Sequence, residues 1–240
     1  MKYHWLMKKQ WTATTARICA LIKNPWPFAA LIGVALVYIG TLVSGLAEDV
    51  LERESIVLAD GRLVYWLAAR RTSIGIQFFR DVSLAGNWEV AISLLAVMAV
   101  IFWKRHLRAI LTILLACAGS EAVVYFGKLA LDRPRPPAVL AVVRELDASF
   151  PSGHANISVS CYALGFYLLA RYTRSRRLRK LWYGLAAAVP LLIGFSRLYL
   201  GAHYLSDVLA GWCIGLWWSI LAMGIAGFQR RRAVQRHREQ

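Results

Sequence analysis

The sequence predicts an all-α integral membrane protein: a bundle of six transmembrane helices with short extracytoplasmic interfacial helices. Three observations carry this reading. Hydrophobic residues make up 58% of the 240-residue chain, and its mean hydropathy is +0.48, well above what a soluble domain needs. Asn24–Ala47 and Val208–Gln229 contain no charged residue, and each is long enough to cross a hydrocarbon layer about 30 Å thick. Of the 29 Lys and Arg, 19 gather in four places that six spans put on one side of a membrane.

Taken in order, residues 1–26 form a cytoplasmic basic leader. Lys8, Lys9, Arg17 and Lys23 interrupt any apolar core that a cleavable signal would need, and Trp5, Leu6, Trp11, Ile18 and Ile22 suit either an interfacial helix or a plain tether. The first span follows. Residues 48–85 mix Ile56, Leu63, Leu67, Ile74, Phe78 and Phe79 with Asp60, Arg62, Arg70, Arg71 and Arg80, the pattern of amphipathic helices lying on the outer surface as a cap or a roof. Four weaker spans come next, at about Gly86–Trp103, Ala109–Gly127, Ser152–Ala170 and Leu181–Ser196, and then Val208–Gln229. The last stretch, 230–240, is a basic cytoplasmic tail expected to fray. The whole chain, 1–240, reads as one membrane domain.

The net charge of +16 does not indicate nucleic acid. The basic residues sit in the leader, in Lys104–Arg108, in Arg171–Lys180 and after Phe228, where they orient the spans and attract anionic lipid. Both termini are therefore expected in the cytoplasm. Cys19, Cys117, Cys161 and Cys213 are isolated, without CxxC spacing, which argues against structural zinc and a disulfide framework.

Three motifs stand where apolar segments meet loops. Lys128 and Arg135-Pro136 supply a point charge and a forked donor, with Pro134, Pro136 and Pro137 stiffening the loop that aims Arg135. Arg133 competes for that role; an interfacial or salt-bridging arginine is its plainer reading. Pro151-Ser152-Gly153-His154 precedes an apolar run. Ser152 is placed to cap the helix, Gly153 lets backbone approach an anion at the free amides, and His154 can protonate a departing oxygen. Arg197 adds a further fixed cation. His203 and Asp207, four residues apart, share a helix face, so the carboxylate can hold one ring nitrogen while the other attacks phosphorus. A zinc site would need ligands beyond His154 and His203. Each residue alone has an ordinary explanation as a cap, a snorkelling cation or a surface pair. Their collection at one membrane face does not.

Lys128, six residues, Arg135-Pro136; Pro151-Ser152-Gly153-His154; and Ser196-Arg197, five residues, His203, three residues, Asp207 match in order and spacing the type 2 phosphatidic acid phosphatase superfamily. The chain resembles its membrane lipid phosphatase branch over 128–207. The resemblance implies His203 as nucleophile, Asp207 as its orienting partner and His154 as general acid. Lys128, Arg135, Ser152, Gly153 and Arg197 would hold the phosphoryl oxygens, with no cofactor and no metal.

It further implies a multi-pass protein of a bacterial inner membrane, with a periplasmic site acting on a lipid phosphate. Undecaprenyl diphosphate comes first, with phosphatidylglycerol phosphate, phosphatidic acid and lipid A as alternatives. A phosphotransferase using the same phosphohistidine shares the first half-reaction. A non-catalytic lipid binder or a transporter would not need His154, His203 and Asp207 intact. Oligomeric state is not legible. Glu121, inside the third span, is expected to meet a polar partner in the bundle, near Lys128 or across helices.

Overall fold

The computed structural model of the chain describes residues 25–52 and 55–239. Their regular secondary structure is helical, with no strand among them. The chain runs α1 (Pro25–Glu52), α2 (Ser55–Ala68), α3 (Ser73–Leu84), α4 (Trp88–Leu131), α5 (Gly153–Ile157), a π-helical turn (Ser158–Ala163), α6 (Leu164–Tyr172), α7 (Arg176–Tyr199) and α8 (Leu205–Glu239). Of the described residues, Pro25–Tyr38, the first half of α1, falls in one unit, and Ile39 onward forms a second. The site lies wholly in the second. Residues 1–24 of the expected basic leader, interfacial helix or tether, lie outside the described residues.

Four helical stretches are long and apolar enough to cross a membrane: Ala29–Glu52, Leu107–Leu131, Arg176–Tyr199 and Leu205–Gln229. Leu111, Leu114, Leu191, Leu192 and Leu216 are exposed on them, as side chains facing lipid would be. The expected fourth span is the rod Gly153–Tyr172, interrupted by the π-helical turn. In the tail, helical backbone continues to Glu239, through a stretch with neither Gly nor Pro.

The expected second and third spans form one run of helical backbone, α4, with no loop at Lys104–Arg108, which also lacks Gly and Pro. Yet both ends of the run reach the same place. His154 Nε2 lies 2.8 Å from Asn87 Oδ1, and Asn156, two residues on, donates through Nδ2 to Ser120 Oγ at 3.0 Å and Glu121 Oε1 at 2.6 Å. Along a straight helix Asn87 and Glu121 would stand about 50 Å apart. The run therefore reverses direction within itself. The same bonds give Glu121 its polar partner, across helices in the bundle.

Packing places the site at one end of the helices. Ala91, Ile113, Ala116, Ile157, Cys161, Leu164 and Ala222 form one buried cluster between α4, the α5–α6 rod and α8. Leu67, Ala155, Leu198 and Val208 form a second, which ties α2 to α5, α7 and α8. Gly211 lets α8 close on the start of α5: a Cβ there would stand 2.4 Å from Ser152 O. Cys117, Cys161 and Cys213 are free thiols.

Candidate active site

Four helix ends converge. Lys128 sits in the last turn of α4, which stops at Asp132 in a left-handed conformation (φ 39°) and releases the stiff loop Arg133-Pro134-Arg135-Pro136. Ser152 caps α5, its hydroxyl accepting from Ala155 N at 3.5 Å. Arg197 is in the last turn of α7. Gly201 (φ +68°) then makes a turn in which a Cβ would come within 2.7 Å of Leu140 O. The chain places His203 two residues before α8 and Asp207 in its first turn, so the pair meets across the helix start and not on one helix face.

His203 is 1% exposed, with Nδ1 3.4 Å from Asp207 Oδ2 and Nε2 3.2 Å from Arg135 Nη1. A guanidinium cannot accept, so Nε2 turns a lone pair outward and Nδ1 carries the proton toward Asp207. Burial, only partly offset by the bond to Asp207 and reinforced by Arg197 and Arg135, pulls the imidazole down to about 4. At neutral pH His203 is uncharged, with a free nitrogen facing the cations. Asp207 is fully buried and well held: Oδ2 accepts from Ser149 Oγ at 2.5 Å and Tyr204 N at 2.9 Å, and Oδ1 from Arg133 Nη1 at 2.5 Å.

Lys128, Arg135 and Arg197 close on two carboxylates of the loop between α4 and α5. Glu145 pairs with Arg197 Nη2 and with Arg135 Nη2 (2.8 Å), and lies 3.8 Å from His203 Nε2. Asp147 pairs with Lys128 Nζ and with Arg135 Nη2 (2.6 Å). Burial opposes the Glu145 charge, but Arg197, His203 and Arg135 overcome it and hold the carboxyl at about 2. Lys128 and Arg135 overcome burial in the same way at Asp147, also to about 2. Arg135 is further fixed by carbonyls, donating to Asp147 O and Ala202 O at 2.8 Å each. Arg197 donates to Ser83 Oγ at 2.5 Å. The Glu145 carboxylate, gripped by two guanidiniums beside an open imidazole nitrogen, occupies the position that a phosphoryl group held by the same donors would take.

Residues 109–231 match the PAP2 superfamily. The chain belongs to this family. It is 32% identical over 102 residues to phosphatidylglycerophosphatase B of Bacillus subtilis (strain 168), covering 42% of this chain and 48% of that protein. It is 30% identical over 131 residues to an undecaprenyl-diphosphatase of Sulfolobus acidocaldarius, covering 52% of this chain and 59% of that protein. The chain thus spans about half the length of the curated relatives it matches. The crystal structure of the PAP2-type transmembrane phosphatidylglycerolphosphate phosphatase from Bacillus subtilis superposes with a TM-score of 0.73 at 25% identity, over 82% of this chain and 96% of that one.

Of the residues read from the PAP2 motifs, Lys128, Arg135, Arg197, His203 and Asp207 are tied together directly or through Glu145 and Asp147. Ser152 joins through its backbone N–H, 3.0 Å from Asp207 O, while its hydroxyl serves the helix cap. Gly153 is half-buried, and a Cβ there would meet only Val124 at 3.8 Å. His154 is bonded to Asn87, whose carbonyl puts the proton on His154 Nε2. Arg133 is a buried salt-bridging residue, in keeping with its plainer reading. The motifs gave no hint of Asn87, Glu145, Asp147 or Ser149, nor that the amphipathic segment sends Asp60 and Ser83 inward. The one available signal was that Glu145 and Asp147 are acidic residues in the loop that joins the Lys128/Arg135 motif to Pro151–His154.

Proposed function

We propose that the chain is an integral membrane lipid phosphatase, built on six spans, that removes a terminal phosphate through a phosphohistidine on an extracytoplasmic face. The observation that carries this is the neutral His203, held by Asp207 on one side and turning Nε2 on the other toward Arg135 and the Glu145 carboxylate, in the cluster that gathers Lys128, Arg135 and Arg197. The fold and family support it, as does the gathering of basic residues on the opposite side of six spans. His203 Nε2 forms a bond to phosphorus while the bond to the leaving oxygen breaks, and His154, acting in its doubly protonated form, gives that oxygen its Nδ1 proton while Nε2–H stays on Asn87. Water then cleaves the P–N bond, returning a proton to His154 and releasing inorganic phosphate. The two arginines and Lys128 neutralise charge on the transferring group. Asp207 supports the positive charge that His203 gains, and no metal is required.

The substrates are bilayer-anchored phosphates. Undecaprenyl diphosphate and phosphatidylglycerol phosphate are the first to assay, since relatives carry names built on these two lipids. Detergent-purified protein, with EDTA present, is expected to release phosphate from at least one of them or from phosphatidic acid. Transfer of labelled phosphate to a second lipid in place of release would make it a phosphotransferase. No turnover of any donor by folded protein would refute the reading.

A bound phosphoryl group must displace Glu145 from both arginines. Glu145→Gln keeps the shape and loses the charge, so vanadate is expected to inhibit this variant about tenfold more tightly, equivalent to about 1.4 kcal/mol. An unchanged or weakened inhibition constant would show that Glu145 does not compete for the cradle.

A further inference from the structure

At Asp207 Oδ1, the oxygen that His203 does not face, a second buried ion pair begins. Arg133 is 6% exposed and donates through Nη1 to Asp207 Oδ1 at 2.5 Å and Ser206 Oγ at 2.7 Å, and through Nη2 to Asp60 Oδ2 at 2.9 Å. Its guanidinium lies over the Tyr204 ring, 4.4 Å from the centroid. Asp60 is 2% exposed and belongs to α2, the amphipathic helix read from sequence as a surface cap. It also accepts from Ser206 N at 3.1 Å and from Ser206 Oγ. Asp60, Arg133, Asp207 and His203 thus form one line from the interfacial helix to the reactive ring.

The order of charges matters. Arg133 alone would cancel the charge of Asp207 and leave His203 with a neutral neighbour. Asp60 offsets Arg133, so the three together present a net single negative charge to the imidazole, which must become cationic when it bonds phosphorus. We propose that Asp60 and Arg133 are positioning residues that act through Asp207 to set the basicity of His203, making α2 part of the reaction centre. This rests on the proposed function only in calling His203 the nucleophile. The other charged groups facing His203 are Arg135 and Glu145 from the α4–α5 loop and Arg197 from α7. Asp207 is faced in addition by Ser149 and Tyr204.

The test uses opposite changes in charge. Asp60→Asn leaves net zero behind His203, Arg133→Gln leaves minus two, and the double variant restores minus one. In detergent-purified full-length protein, the His203 titration midpoint is read by NMR of the labelled imidazole. It is expected to fall in Asp60→Asn and rise in Arg133→Gln, by about one pH unit each. It should return to the wild-type value in the double variant and stay there in Arg133→Lys. The acid limb of kcat/KM should move with it, and kcat should drop at least tenfold in both single variants with KM within threefold. Midpoints that do not move, or that move in the same direction in both, overturn the proposal. If Arg133→Gln does not fold, an unmoved midpoint in Asp60→Asn overturns it alone. The midpoint needs no turnover: opposite shifts in a protein that hydrolyses no lipid would uphold this inference while the functional reading fell.

Discussion

His203→Ala is expected to abolish phosphate release, with a loss on the order of 10⁴–10⁶ in kcat. Among the described residues around the cradle, the remaining nitrogen groups are Lys128, Arg135 and Arg197, which act there as cations, and His154, whose Nε2 proton is directed at Asn87. None takes over a bond to phosphorus. The variant should still fold, because Asp207 keeps its bonds from Arg133, Ser149 Oγ and Tyr204 N when the imidazole is gone. Folding is checked by a monodisperse elution profile and a cooperative melt in detergent. A folded alanine variant that retains turnover within tenfold would remove His203 from the nucleophile role.

Asp207→Asn is expected to cost about 10²–10⁴ in kcat, through tautomer choice as well as charge. In the native site Nδ1–H faces a carboxylate and Nε2 faces Arg135 Nη1, a donor. An amide at position 207 that turns its NH₂ toward Nδ1 forces the ring proton onto Nε2, against the arginine and on the atom that must attack. The same change strips Arg133 of one anionic partner, so a stability loss of about 3–5 kcal/mol is expected alongside. Steady-state kinetics and a thermal melt separate the two effects. Turnover within tenfold of wild type would show that the carboxylate neither orients nor supports the nucleophile.

The motif residues were legible because phosphate chemistry asks for few residue types, and three clusters at apolar boundaries supplied them. Helix ends were legible for a similar reason: Ser152 caps because a hydroxyl precedes a long apolar run. Partners that arrive from distant sequence were not. Asp60 sits 73 residues before Arg133 in a helix whose composition describes a surface, and nothing local distinguishes it from a solvated acid. Glu145 and Asp147 look like ordinary loop carboxylates until the fold brings Arg135, Arg197 and Lys128 around them. The charge of Lys104–Arg108 marks a membrane boundary within α4, whose run reverses direction, but that stretch lacks Gly and Pro and its backbone stays helical instead of forming the loop the charge suggests. The π-helical turn at Ser158–Ala163 has no counterpart in the hydropathy pattern.

The most direct test of the central claim is to trap the phosphoenzyme. Protein is mixed with lipid carrying a ³²P-labelled terminal phosphate in EDTA and quenched in alkali within milliseconds, and the label is mapped by peptide. The proposed function predicts alkali-stable, acid-labile label on the peptide containing His203 and none in His203→Ala. Label on another residue, or rapid phosphate release with no covalent label at any quench time, would contradict it.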